Sequence, residues 1–156
     1  HVDKIAFFQG SIYCSVYDKE TDTSFLAWSV YMLFHVFDFV NQVINDIEGE
    51  IRLLHGMPDG LLIGTDREIM ILTDDSITRL ANYGVPSGKA LKANRDGRIF
   101  FQSLRGICTI PFQNLTVDKV SLPIGVCKSA LVEHDGFEQF ITMTDNGSPS
   151  EDSINF

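Results

Sequence analysis

Residues Asp59 to Leu72 read Asp-Gly-Leu-Leu-Ile-Gly-Thr-Asp-Arg-Glu-Ile-Met-Ile-Leu. A turn pair, Asp59-Gly60, launches an apolar run from Leu61 to Ile63. A polar corner, Gly64 to Glu68, separates it from a second apolar run, Ile69 to Leu72. Two short apolar runs across a Gly-containing polar corner predict strand, tight turn, strand. A chain carrying this unit must find a partner for the apolar side of a hairpin, and it repeats the device. Gln9-Gly10 opens Ser11 to Tyr17. Asp96-Gly97 opens Arg98 to Gln102 and then, past Ser103 to Gly106, Ile107 to Ile110. Asp135-Gly136 opens Phe137 to Thr144.

The segments between these turns fit the same scheme. Val2 to Phe8 predicts a strand ahead of Gly10, Phe25 to Met32 a strand returning after the polar stretch Asp18 to Ser24, and Ile51 to His55 a strand ahead of Gly60. Leu33 to Asn45 mixes aromatic and polar residues. Its short aromatic runs do not separate helix from strand, and the expectation is an extended connection with room for one short helical turn. Asp46 to Glu50 reads as a polar turn. Ile77 to Leu80 reads as a short outer strand, and Tyr83 to Gly88 as a loop. Asn94 to Gly97 carries a type I or I′ turn signal. Phe112 to Thr116 reads as loop or edge, Val117 to Val120 as a fourth strand, and Val126 to His134 as the strand before the last turn. Asn146 to Asp152 is rich in Ser, Asp, Gly and Pro, and 146–156 is expected to be a flexible C-terminal segment after a domain spanning 1–145.

The turn glycines Gly10, Gly60, Gly97 and Gly136 are spaced by 50, 37 and 39 residues. The last two spacings lie near the period of about 40–45 residues of a four-stranded propeller blade. The first is longer by an insertion that Leu33 to Asn45 would supply. A twisted four-stranded sheet cannot bury both faces alone, and stacking such sheets around an axis solves this with short edges. The fold expected is therefore all-β: a partial or small β-propeller built of repeated antiparallel hairpin blades. About three to four blades fit, where a closed propeller has about four to eight, and His1 in place of Met fits a processed or partial chain. A β-sandwich of similar hairpins is the competing architecture. The repeat has no Trp-Asp dipeptide and no sialidase-type Asp box.

Charge narrows function. A net charge of −9 over 156 residues argues against a general nucleic-acid surface, which needs clustered Lys and Arg. At most it allows passive contact with DNA. Cys14, Cys108 and Cys127 are odd in number with no Cys-x-x-Cys pair, and read as buried free thiols. No stretch from His1 to Gly10 resembles a signal peptide. The most apolar run, Phe25 to Val40, is broken by Ser29, His35 and Asp38 and falls short of the ~20 residues a spanning helix needs.

In serial order, the Asp59 to Asp66 block, an apolar strand, Leu80-Ala81-Asn82-Tyr83-Gly84-Val85-Pro86-Ser87-Gly88, Arg105-Gly106-Ile107-Cys108 and Phe112-Gln113-Asn114-Leu115-Thr116 resemble a family of β-propeller-like virion proteins of tailed bacteriophages and prophages. The resemblance spans about Val30 to Pro123. It implies a structural virion component at the tail or head–tail connection, assembling with other virion proteins in a symmetric ring of copies. It implies no catalytic activity and no membrane partner.

His35, His55 and His134 lack metal-ligand spacing and read as solvated or core histidines. Asp74-Asp75 and Glu48-Gly49-Glu50 read as turns. Ser11, Ser15 and Ser103 have no nucleophile-elbow context. Gly84 to Ala90 lacks the spacing and the hydroxyl residue of a phosphate-binding loop, and Asn114-Leu115-Thr116 matches a glycosylation sequon only by pattern. The expectation is no catalytic, cofactor-binding or metal residues, no cofactor, and no enzyme activity. The alternative function is a ligand-binding propeller that recognises a glycan or peptide, marked by exposed aromatics such as Tyr83 and Phe112 on one rim.

Overall fold

The computed structural model describes residues 2–74, 76–88, 91–94, 96–114, 126–134, 137–145 and 152–155. They form an all-β structure of sixteen strands in four antiparallel sheets, with no helix among the described residues. The chain divides into two compact units, His1–Val85 and Pro86–Phe156.

The first unit holds two sheets. Lys4–Phe8 (β1), Ser11–Asp18 (β2) and Thr23–Val30 (β3) form a meander. The far edge of β3 is shared: Val43–Glu48 (β5) pairs along Thr23 to Ala27, and Leu33–Phe37 (β4) pairs at Ser29 and Val30. The second sheet is the meander Ile51–Met57 (β6), Gly60–Thr65 (β7), Ile69–Thr73 (β8) and Ser76–Ala81 (β9). Its outermost strand is short, mostly exposed and carries Arg79, as suits an edge that must not recruit another strand.

Strand periodicity explains how the two sheets meet. Residues opposite in an antiparallel ladder share a face. One face of the first sheet therefore presents Phe8, Tyr13, Leu26 and Ile47. The facing side of the second presents Ile51, Leu61, Ile63, Met70 and Leu72. These nine residues are buried together as the core of the unit, with Ala6, Trp28, Ile44 and Leu54 packed at its margin. Tyr13 stacks on Trp28 across β2 and β3 with ring centroids 5.4 Å apart. β1 runs beside β6. Their approach is close at one point, where a Cβ on Gly56 would collide with the Phe7 carbonyl oxygen.

The second unit also has two sheets. Leu91–Ala93 (β10), Ile99–Ser103 (β11), Gly106–Ile110 (β12) and Gln113–Asn114 (β13) form one. Val126–His134 (β14), Phe137–Asp145 (β15) and Asp152–Asn155 (β16) form the other. Phe100 of β11 stacks on Phe140 of β15 at 6.0 Å, and β10 lies against β14. In both units, then, the first strand of one sheet runs beside the first strand of the next.

Several expectations are corrected. Leu33 to Asn45 contains no helical turn: it is β4, a turn and the start of β5. Asp46 is a strand residue, with the polar turn confined to Gly49 and Glu50. Gly60 does not shape its turn, which is Pro58-Asp59; it opens β7, where a Cβ would stand 2.7 Å from Cγ1 of Ile71. Gly10 does shape its turn. Gln9 and Gly10 both have positive φ, 44° and 77°, as a two-residue type I′ hairpin requires. The fourth strand of the third sheet is Gln113–Asn114. Val117 to Val120, expected there, and Asp135-Gly136 lie outside the described residues. Within the C-terminal segment expected to be flexible, Asp152–Asn155 pairs with β15, while 146–151 and 156 lie outside the described residues.

Candidate interaction surface

The residues that carry the Gly-Thr-Asp block form a structural clasp. The Thr65 hydroxyl accepts the backbone N–H groups of Arg67 and Glu68, each at 3.0 Å, closing the β7–β8 corner. Asp66 Oδ1 accepts the Glu50 N–H at 3.0 Å, and the Asp66 N–H donates to the Glu50 carbonyl at 3.1 Å. The Val85 N–H donates to the Thr65 carbonyl at 2.8 Å. Gly84 lies so close to Thr65 and Asp66 that a Cβ would collide with their backbone. Ser24, buried in β3, donates to the Gly49 carbonyl at 2.7 Å and accepts the Ile51 N–H at 3.2 Å, which locks the link between the two sheets. Arg67 pairs with Asp22, whose other oxygen accepts the Tyr17 hydroxyl at 2.6 Å. That hydrogen bond, ahead of burial, raises the Tyr17 phenol above its usual range. Such contacts hold a fold together; none presents an activated group to a substrate.

The other polar residues singled out in the sequence are also dispersed. His35 is exposed on β4, and His55 is half-buried on β6, where burial pushes its imidazole below its ordinary range. The side chains of Cys127 and His134 lie outside the description. Glu50 pairs with Arg52 at 3.1 Å, and Glu48 and Asp74 are exposed. Ser11, Ser15 and Ser103 are buried, and Ser103 donates to the Gly106 carbonyl at 2.8 Å as a turn lock. Among the described residues no three His, Cys, Asp or Glu side chains are grouped to hold a metal ion. Tyr83 and Phe112 are each half-buried rather than displayed.

What the first unit does display is apolar. The outer face of the first sheet, opposite the core, carries Ile5 and Phe7 from β1, Ile12, Cys14 and Val16 from β2, Phe25 from β3 and Val43 from β5. Ile5 is 65% exposed and Phe7 61%. The insertion between β3 and β5 extends this surface. Phe34 of β4 meets the Phe7 ring edge-on at 5.9 Å. Tyr31 and Met32, in the turn before β4, are both exposed, and the Met32 N–H donates to the Gly10 carbonyl at 2.8 Å. Beyond β4, the Asp38 carboxylate takes three hydrogen bonds, from the Asn41 side-chain amide and from the Val40 and Asn41 N–H groups. These donors, the Asn41 amide first, hold its carboxyl below the ordinary range. The turn they fix presents Phe39 and Val40 to solvent, Val40 at 83%. Ile5, Phe7, Tyr31, Met32, Phe34, Phe39 and Val40 are thus large apolar side chains that the first unit leaves exposed.

Sequence reasoning missed this surface, although a signal existed. In β1 and β2 the apolar residues are nearly continuous: Ile5-Ala6-Phe7-Phe8 and Ile12-Tyr13-Cys14. Alternation predicts one covered face, and continuity predicts two. Comparison with protein-family models, curated proteins and solved structures finds no match.

Proposed function

We propose that this chain is a structural component of a tailed-bacteriophage virion, a propeller-like subunit at the tail or head–tail connection that acts through protein–protein assembly. The observation that carries the assembly role is the exposed apolar surface of the first sheet and its β3–β5 insertion. Large apolar patches are rarely left to water, and here the exposed apolar residues lie on a sheet face and its insertion rather than in a cleft. The propeller reading is supported by the way sheets stack within each unit, first strand beside first strand, and by the spacing of Gly10, Gly60, Gly97 and Gly136. The placement in a phage particle rests on the serial block order that resembles phage virion proteins. The net charge of −9 suits a wall that DNA passes without sticking.

Cryo-electron microscopy of the particle or complex that contains the chain tests this directly. Symmetric copies of a stacked-sheet ring against a tail or portal are the expected result. Particles that lack the chain, with the protein found free and monomeric in the cell, would sink the virion reading.

A further inference from the structure

We propose that a water molecule is bound between the two sheets of the second unit, shared by the side-chain amide of Gln102 on β11 and the hydroxyl of Thr109 on β12. The inference is independent of the assembly reading.

Gln102 and Thr109 are each 2% exposed. Gln102 Oε1 and Thr109 Oγ1 are sealed from bulk solvent, and neither has a hydrogen-bond partner within the protein. A buried polar group without a partner is costly, and nearly all such groups in folded proteins are paired, with the protein or with an ordered water. The need survives a turn of the Gln102 amide, which would set an unpaired NH₂ group where the oxygen stands.

The register brings the two groups together. β11 and β12 pair Phe100 with Thr109 and Gln102 with Ile107. Opposite and alternate residues share a face, so all four lie on one side of the sheet. That side is turned toward β15, because Phe100 stacks there on Phe140. Gln102 and Thr109 are diagonal neighbours, at a spacing of about 7–8 Å that is somewhat shorter between their Cβ atoms. A single water at ordinary hydrogen-bond lengths links two oxygens about 5–6 Å apart. It bridges the pair where the two side chains make no direct bond.

The chemistry of the pair selects the ligand. An amide and a hydroxyl are neutral, so neither calls for an ion. An amide oxygen accepts and a hydroxyl both donates and accepts, so one molecule with donors and lone pairs satisfies them together. The sealing of both oxygens restricts that molecule to the smallest, which is water. Its two partners then depend on each other, since removing one leaves the other and the water short of a bond. Replacing both by apolar groups of similar shape removes the need for the water altogether.

A high-resolution crystal structure of the full chain tests the site directly. The expected result is an ordered water within hydrogen-bonding distance of both the Gln102 amide and Thr109 Oγ1. A dry site, with the two side chains bonded to each other or to other protein groups, overturns the proposal. Thermal melts of Gln102→Met, Thr109→Val and the double variant give a second readout in solution. Each single change should lower the melting temperature by about 2–8 °C, and the double variant should lose clearly less than the sum of the two. Single changes that raise the melting temperature would mean that each group was unpaired in the wild type, and shifts that simply add would mean that the two share no ligand. Either result overturns the proposal.

Discussion

In the second sheet of the first unit, Leu61, Ile63 and Met70 point one way, Leu53, Leu62 and Ile69 point the other, and all six are buried. In the first sheet, Phe8, Tyr13 and Leu26 are buried on one side, while Ile5 and Phe7 on the other remain more than half exposed. Both sheets were written with two apolar faces. The difference lies in how far the second face is covered: on the first sheet it is covered at Ala27 and open at Ile5 and Phe7. Burying an apolar side chain stabilises by about 1.5–3 kcal/mol, a gain that Ile5 and Phe7 forgo while exposed.

The comparison breaks most easily at the core. Leu61→Ala, at a fully buried position between the sheets, is expected to cost about 2–5 kcal/mol in urea denaturation. A loss below about 1 kcal/mol would mean that the two sheets do not share one core. Gly56→Ala should come next. Its new methyl group would meet the backbone carbonyl of Phe7, which cannot rotate away as a side chain can, so a loss of about 1–3 kcal/mol is expected. The same substitution at Gly97, where a Cβ meets nothing within 4 Å, should cost less, and what it costs would reflect its φ of 80°.

The far face of the second sheet can be read through pH. His55 sits on it, opposite Leu62 on β7, and burial favours its neutral form. The imidazole pKa is lower folded than unfolded, so below the unfolded value of about 6.5 the unfolded chain binds more protons. Stability should therefore be full above that pH and fall as pH drops through the window beneath it. His55→Gln should flatten this part of the profile in thermal melts from pH 7.5 to 5. An unchanged slope would place the pH dependence on other groups.

The strands were legible in the sequence because each carries an apolar run between polar turns. The positions of β1, β2, β7, β8, β11 and β12 follow from that pattern almost residue by residue. The β3–β5 insertion was not legible. Aromatics at Phe34, Phe37 and Phe39 satisfy no single period, and what fixes their path is non-local: the Met32 bond to Gly10, Phe34 on Phe7, and the Asp38 turn. The role of Gly60 was hidden for a similar reason, since a glycine needed for close packing against Ile71 looks in sequence like one needed for a turn. The candidate surface was half-written in the continuity of Ile5-Ala6-Phe7-Phe8. Exposure itself depends on which other surfaces fold over a strand, and no strand's own sequence states that.

Two smaller effects sharpen the comparison on the open face. The edge-to-face pair of Phe7 and Phe34 is worth about 0.5–1.5 kcal/mol beyond its buried area. A double-mutant cycle with alanine at both positions should recover a coupling in that range, and zero coupling would show that the insertion does not rest on β1 in solution. Ile5 has no ring partner and is 65% exposed. Ile5→Ser should therefore leave the stability of the dilute chain within about 0.5 kcal/mol of wild type, while weakening self-association at high concentration. An inner-face change such as Leu61→Ala must do the opposite, lowering stability at every concentration. If Ile5→Ser instead destabilises the dilute chain by several kcal/mol, Ile5 is already covered in the monomer. The two faces of the first sheet would then be equivalent, and the asymmetry on which the assembly reading stands would be gone.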